Sequence, residues 1–314
     1  MRELHVVLGA GQVGPLVAKA LVERGHRVRV VRKTSKAVAT GGVEVIAADV
    51  SDAESVARAT DGAESVYHCV NPLYFEWPKL LLPMTRGIAQ GTRQSGANLI
   101  ALDNLYMYGD TAHMHPGAAV APRSRKGALR AEAAELILGS GARGGRRVAI
   151  ARAADFFGPG APLSAIFGER FFRRVFAGKA GESFGNPEMP HSYSYVPDVA
   201  AGLVALGTSA SADGVYMLPV QPAEPTRAVI ERFYRVLGKS LGVARVPTWA
   251  LRAMGLFNPS IRELVEMVYQ WEQPYAVDDE RIRREFGLSP TPWDEAIDAT
   301  IAWGRAAFSA TPLS

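Results

Sequence analysis

The chain has 314 residues, 48% hydrophobic and 21% charged, with a mean hydropathy of +0.01, which suits a globular protein built as one large domain or a domain plus a lobe. Its formal net charge of +4 is small and scattered, and Arg143, Arg146 and Arg147 make only a short run, so it does not point to nucleic acid. The single cysteine, Cys69, excludes an internal disulfide, no apolar stretch approaches the roughly 20 residues that span a bilayer, and no signal-peptide layout opens the chain, so a cytoplasmic protein is expected.

Leu4–Leu8 is an apolar run that predicts a strand. Gly9, Gly11 and Gly14 follow with the spacing G-x-G-x-x-G, and Val13, Leu16, Val17, Ala20 and Leu21 then fall on one helical face. Gly25 closes that helix and Val28–Val31 begins a second strand. Strand, tight turn, helix and strand form the context in which the three glycines mean a dinucleotide site. Gly9 makes the turn, Gly11 lets the backbone approach a pyrophosphate, and Gly14 lets helix and strand pack closely. Gln12 and Val13 lie in the same turn, and the helix N-terminus supplies N–H groups and a dipole for the anion. At the end of the second strand Arg32 stands where an acidic residue would accept from the ribose of NAD, with Lys33 and Lys36 behind it. A guanidinium matches a phosphate in charge and shape, so NADP(H) is favoured over NAD(H).

Val43–Ala47 reads as the third strand, followed by Asp49 and Val50 on the adenine side and a short helix capped by Ser51 or Asp52. Ser65–Val70 reads as the fourth strand, with Val70, Asn71 and Pro72 at its cofactor end; Cys69 is expected in the core. A helix is predicted over Lys79–Ser95, a strand over Asn98–Leu102, a loop over Thr111–Pro122, a helix over Lys126–Gly139 and a strand over Arg147–Ala151. Alternating strands and helices predict a Rossmann-type, doubly wound parallel α/β sheet, with ligands at the strands' carboxyl ends. Asn104, Tyr106, Tyr108 and Asp155 follow such ends. Beyond Asp155 the pattern loosens. Phe167, Phe171, Phe172, Val175 and Phe176 form a helical stripe, Gly178–Met189 reads as a loop, and His191–Val196, which includes Tyr193, alternates like a strand. Val215–Leu218 reads as a strand; Pro225–Leu237, Trp249–Phe257, Ile261–Trp271 and Trp293–Phe308 read as helices. Residues 1–155 are assigned to the nucleotide-binding core, with contributions from about 190–220, and residues 156–314 mainly to a helical substrate lobe. His113, His115 and His191 lack metal-ligand spacing, so no metal is expected from them.

Together these residues resemble the extended and atypical short-chain dehydrogenase/reductase superfamily, of the NAD(P)-dependent epimerase/dehydratase type. The resemblance rests on Gly9–Gly14, on Asp49-Val50, on Tyr108-Gly109-Asp110, on Arg152-x-x-Asp155-Phe-Phe-Gly-Pro-Gly and on Tyr195-Val196-Pro197-Asp198-Val199-Ala200. It implies a Ser/Thr, Tyr and Lys constellation, with the latter two spaced Tyr-x-x-x-Lys on the helix after the fifth strand. This chain departs there: residues 119–135 hold no tyrosine, and Asn104 occupies the Ser/Thr position. Lys126-x-x-Leu129-Arg130 resembles instead the lone-lysine pattern of the isoflavone-reductase-like branch. By that resemblance Lys126 binds the nicotinamide ribose and supports proton transfer, Tyr106 supplies the phenol, and Asn104 orients the substrate carbonyl. Tyr106 and Tyr108, two apart, would share one side of an extended segment; Tyr108, Asp155 and Tyr193 are further substrate candidates.

The expected function is an NADP(H)-dependent oxidoreductase acting on a small carbonyl, enone or sugar-like compound. A non-catalytic NADP-binding sensor and an epimerase or dehydratase using the nucleotide transiently are the alternatives. The expected partner is a small-molecule substrate, not nucleic acid or membrane; homodimer formation is left open.

Overall fold

The structure is a computed structural model that describes residues 2–34, 42–141 and 146–309; Lys36 and Arg143 lie outside the described residues. Seven parallel strands form the central sheet: β1 (Leu4–Leu8), β2 (Arg27–Arg32), β3 (Val43–Ala47), β4 (Ala63–His68), β5 (Asn98–Asp103), β6 (Val148–Arg152) and β7 (Gly214–Met217). Their spatial order is β7-β6-β5-β4-β1-β2-β3. The chain winds outward from β1 to β3 and then restarts at β4 in the other direction. The winding therefore reverses between β1 and β4, and a crevice opens there at the strands' carboxyl ends. All five residues of β1 are buried, as a strand covered on both faces requires.

Side-chain alternation sorts the two faces. Leu4, Val6 and Leu8 pack with Val66, Leu99 and Ile150 against α2 (Ala53–Ala59), α3 (Trp77–Ser95) and α4 (Arg125–Gly139). Val7, Tyr67, Ile100 and Ala149 face α1 (Gly14–Glu23). α5 (Glu169–Phe176) then opens the lobe, and the chain returns to the sheet through α6 (Val196–Thr208), which joins α1 on its face, and β7. The lobe is completed by α7 (Thr226–Leu237), α8 (Thr248–Gly255), α9 (Pro259–Val265) and α11 (Trp293–Phe308), whereas α10 (Glu280–Phe286) packs Ile282 and Phe286 on the sheet beside β7, on the face of α1 and α6. Its core is aromatic: Phe167, Phe171, Phe172, Tyr193 and Phe233 are buried in mutual contact, and the expected stripe of α5 is a packing face.

Several elements differ from the sequence pattern. His113–Met114, within the expected loop, pairs in parallel with Ala276–Val277, and Gly181–Phe184 pairs with Val243–Val246. Such short pairings are closed by distant chain segments and carry too few residues for a period to register. The helix expected over Ile261–Trp271 ends at Val265, and a 3₁₀ turn spans Val268–Trp271. α10 was not anticipated from the pattern.

Candidate active site

The glycine turn has the geometry its spacing demands. Gly9 sits at φ +103°, a region open chiefly to glycine, and its N–H donates to the Val31 carbonyl at 3.0 Å. A Cβ on Gly14 would lie 2.0 Å from the Gly9 carbonyl oxygen, so only glycine permits this approach of helix to turn. A Cβ on Gly11 would meet nothing within 4 Å. The N-terminus of α1 has no side-chain cap and no acidic residue in its first turn. Open space beside Gly11 and uncapped helix N–H groups suit an anionic pyrophosphate, so the residues present fit a dinucleotide. The Gln12 side chain is held by the Leu163 N–H at 3.1 Å, and Val13 is buried beneath the turn. Arg32 and Lys33 are exposed at the end of β2. Asp49 accepts from Ser51 through both its N–H (2.9 Å) and its hydroxyl (2.7 Å), and those bonds hold its carboxyl below the usual range, with Lys33 adding to the effect. Val50 is buried behind it.

At the end of β4, Val70 donates its N–H to His68 Nδ1 at 3.3 Å, and burial together with Arg130 pushes the His68 imidazole down to about 3. Burial pushes the Cys69 thiol up to about 12, which suits a packed thiol rather than a nucleophile. The Pro72 carbonyl accepts from Trp77 Nε1 at 2.9 Å, and Asn71 Oδ1 accepts from Arg130 at 2.6 Å. Arg130 also lies over the Trp77 ring at 4.3 Å and reaches Asp103 at 3.4 Å. Arg152 shares that same Asp103 carboxylate at 3.4 Å. Two buried guanidiniums on one carboxylate leave a net positive charge at the carboxyl end of β5.

Lys126 enters from the first turn of α4, which Ser124 caps through the Gly127 N–H at 2.9 Å. Its ammonium is buried and clamped by Glu263 and by Glu266, the latter at 2.9 Å. These two carboxylates stand three apart at the end of α9, a spacing that places them on one side. Lys126 Nζ lies 5.6 Å from the centre of the Tyr74 ring, and the Tyr74 hydroxyl is hydrogen-bonded to that of Tyr106. Trp77 stacks on Tyr106 at 6.2 Å. Lys126, Tyr74, Tyr106, Trp77, Arg130 and Asn71 are thus one continuous cluster. Burial raises both phenols, Tyr106 well above its ordinary value, with Asp155 adding to the effect on each. Asn104 Oδ1 accepts the Tyr106 N–H at 3.2 Å and so fixes the turn that presents this phenol.

The structure separates other candidates from this cluster. Tyr106–Tyr108 is a 3₁₀ turn rather than an extended segment. With about three residues per turn, positions two apart point to different sides. Tyr108 is fully buried and its hydroxyl is taken by Arg152. Tyr193 is fully buried in the lobe core, bonded to Thr226 at 2.7 Å. Asp155 lies beside the cluster and meets His191 Nε2 at 3.0 Å; the His191 ring stacks on Tyr275 at 4.3 Å. Asp198 accepts from Thr291 and fixes a lobe loop. Tyr74, Glu263, Glu266 and Tyr275 had no local signal in the sequence; Arg130 had one, four residues after Lys126.

A sequence profile of the NAD-dependent epimerase/dehydratase family matches residues 5–217. The chain belongs to this family. As a member of it, the protein is an enzyme with a nicotinamide-nucleotide-binding Rossmann core. No curated protein sequence matches the chain. Among solved structures, this family member is similar to MoeE5 in complex with UDP-glucuronic acid and NAD, at 19% identity over 97% of this chain and 99% of that one, with a TM-score of 0.77. It is similar to a nucleoside-diphosphate-sugar epimerase from Pseudomonas aeruginosa, at 17% identity over 98% of each chain and a TM-score of 0.77. It is also similar to UDP-glucuronic acid 4-epimerase from Bacillus cereus in complex with UDP-glucuronic acid and NAD, at 15% identity over 97% and 100% of the two chains, with a TM-score of 0.77. At these identities the likeness is one of fold. Among the described residues no helix is long and apolar enough to cross a membrane.

Proposed function

We propose that this family member is an NADPH-dependent reductase of a small carbonyl, enone or sugar-like substrate, held in the cleft between the carboxyl ends of β4 and β5 and the lobe. The observation that carries this reading is the hydrogen-bonded pair of phenols, partly buried Tyr74 and buried Tyr106, beside a lysine already neutralised by two carboxylates. An alcohol oxidation needs a phenolate or another base to take the hydroxyl proton. Here burial keeps both phenols protonated, and the nearest ammonium is engaged by Glu263 and Glu266 instead of stabilising a phenolate. The pair thus meets a substrate as neutral hydroxyls, which can hydrogen-bond a carbonyl oxygen and pass it a proton as hydride arrival turns that oxygen into a strongly basic alkoxide.

In this reading Tyr106 holds the proton at Oη, Tyr74 orients that hydroxyl, and Asn104 fixes the backbone that presents it. Arg130 and Asn71, bonded to each other, would take the nicotinamide ribose in this reading, the role that resemblance alone gives to Lys126. Lys126 then positions Tyr74 and ties the lobe to α4. Arg32 and Lys33 would carry the NADP preference through the extra phosphate. When bound, the nicotinamide supplies the hydride.

The family match and the sugar-epimerase neighbours favour one second reading, an epimerase or dehydratase that returns the hydride to its substrate. NADPH consumption measured against aldehydes, ketones, enones and nucleotide sugars separates the two. Stoichiometric NADPH loss supports the reductase; substrate conversion without net NADPH loss favours the epimerase or dehydratase.

A further inference from the structure

At the amino end of β1, opposite the glycine turn, three metal-ligating side chains converge. Parallel pairing sets Leu4 against Arg27, and the Arg27 N–H donates to the Glu3 carbonyl at 3.0 Å, so Glu3 neighbours His26 across the strands. His5 lies two residues after Glu3, on the same face of the strand. Glu3 Oε2 is 3.7 Å from His5 Nε2 and 3.9 Å from His26 Nδ1, and the three ligand atoms all lie within 4.8 Å of one another. The imidazoles meet edge to face at 4.4 Å.

His5 supplies the second observation. It is 0% exposed on a strand whose other residues are aliphatic, and its Nε2 has no hydrogen-bond partner among the described residues. A buried ring nitrogen left unpaired is costly and calls for an explanation. Its other nitrogen, Nδ1, lies 3.1 Å from the hydroxyl of the buried Tyr67. One ring nitrogen tied to a neighbouring group and the other directed at a cluster of ligands is how metal-binding histidines are oriented.

We propose that Glu3, His5 and His26 form a binding site for one divalent transition-metal ion, zinc by its ligand set, with the remaining position taken by water. Tetrahedral zinc with bonds of about 2.0–2.2 Å sets ligand atoms roughly 3.3–3.6 Å apart. Closing the ligand distances needs a movement of about an ångström by Glu3 and by the His26 ring, whose side chains are 56% and 21% exposed, toward the fixed His5. The ion would tie the start of β1 to the turn between α1 and β2. It lies at the far end of β1 from Gly9, so it acts on the stability of the strand that carries the glycine turn and not on the chemistry.

The test uses full-length protein without a histidine tag, stripped with a chelator and titrated with zinc by calorimetry and with cobalt(II) by visible absorption. The expected result is one ion per chain at micromolar affinity or tighter, the visible bands of tetrahedral cobalt, and a rise in melting temperature with zinc. His26→Ala, at a partly exposed position that tolerates truncation, and Glu3→Gln should each weaken binding by about tenfold or more. Tyr67→Phe keeps all three ligands and should weaken it by roughly 10–100-fold. A His113→Ala/His115→Ala double variant should bind as the parent does. Absence of micromolar binding, parental affinity in both His26→Ala and Glu3→Gln, or loss of binding in the double variant would overturn the site. None of these readouts depends on NADPH turnover.

Discussion

The two halves of the cleft are built on opposite terms. On the β1 side, the turn follows from backbone geometry: glycine where a carbonyl leaves no room for a Cβ, and glycine where space is left open. On the α4 side, side chains have been exchanged. A lysine clamped by two carboxylates and an arginine bridging Asn71 and Asp103 occupy the helix on which the resemblance implies a tyrosine and a lysine. Binding a dinucleotide constrains the main chain and leaves little room for substitution, whereas proton transfer needs only a hydroxyl at the right place. That hydroxyl can come from another element; in the proposed reading it comes from Tyr106, with Tyr74 beside it.

The sharpest way to break this contrast is to alter the two glycines separately. Gly14→Val puts side-chain atoms against the Gly9 carbonyl and should cost more than about 3 kcal/mol, seen as loss of a cooperative urea transition. Gly11→Ala meets no protein atom and should keep the parental midpoint while nucleotide affinity falls. Equal stability losses in both would contradict the assignment of open space to the ligand. Next in size is Tyr106→Phe. Losing a positioned proton donor should lower kcat/KM by about 10²–10⁴-fold, with NADPH affinity unchanged by fluorescence titration. Lys126→Met leaves two carboxylates facing each other. Losing one partner of a fully buried pair costs about 3–5 kcal/mol, and since Glu263 and Glu266 keep 27% and 32% exposure, about 2 kcal/mol is expected by urea denaturation.

Acidification gives a comparable effect through His68. Its folded pKa of about 3 lies below the usual 6.5, so the unfolded chain binds the extra proton first. Stability contributed by the neutral ring is complete above pH 6.5 and is lost as pH falls toward 3, by about 2 kcal/mol at pH 5. Urea midpoints at pH 7 and pH 5 should show this loss, and His68→Asn should flatten it. The smallest effect is Arg32→Ala, expected to weaken NADPH roughly tenfold while leaving NADH unaffected, by competitive titration. An equal loss for both nucleotides would remove the phosphate-binding role.

The nucleotide half was legible in the sequence because its signals are local. Strand, glycine turn, helix and strand fall within residues 4–32, and each glycine's role follows from its spacing. The side-chain cluster around Tyr106 and Lys126 was legible only in part. Asn104, Tyr106 and Lys126 could be singled out from the ends of β5 and the start of α4, but their partners come from far away. Glu263 and Glu266 lie 137 and 140 residues from the lysine they hold, on a lobe whose approach no local period encodes. Tyr74 belongs to a loop read only as apolar and aromatic. Tyr108 and Tyr193 illustrate the converse: aromatic residues at a predicted ligand edge can be core, and only burial with a satisfied hydroxyl separates the two cases.

The central claim is that buried phenols here give protons during reduction. A single-turnover experiment with NADPH carrying deuterium at the transferable position of the nicotinamide tests it most directly, comparing the parent with Tyr106→Phe across the carbonyl, enone and nucleotide-sugar panel. The account predicts deuterium in a reduced product, one NADPH consumed per product, and a slowed step in the variant. Isomerised substrate with no NADPH consumed, or equal rates in parent and variant, would contradict it.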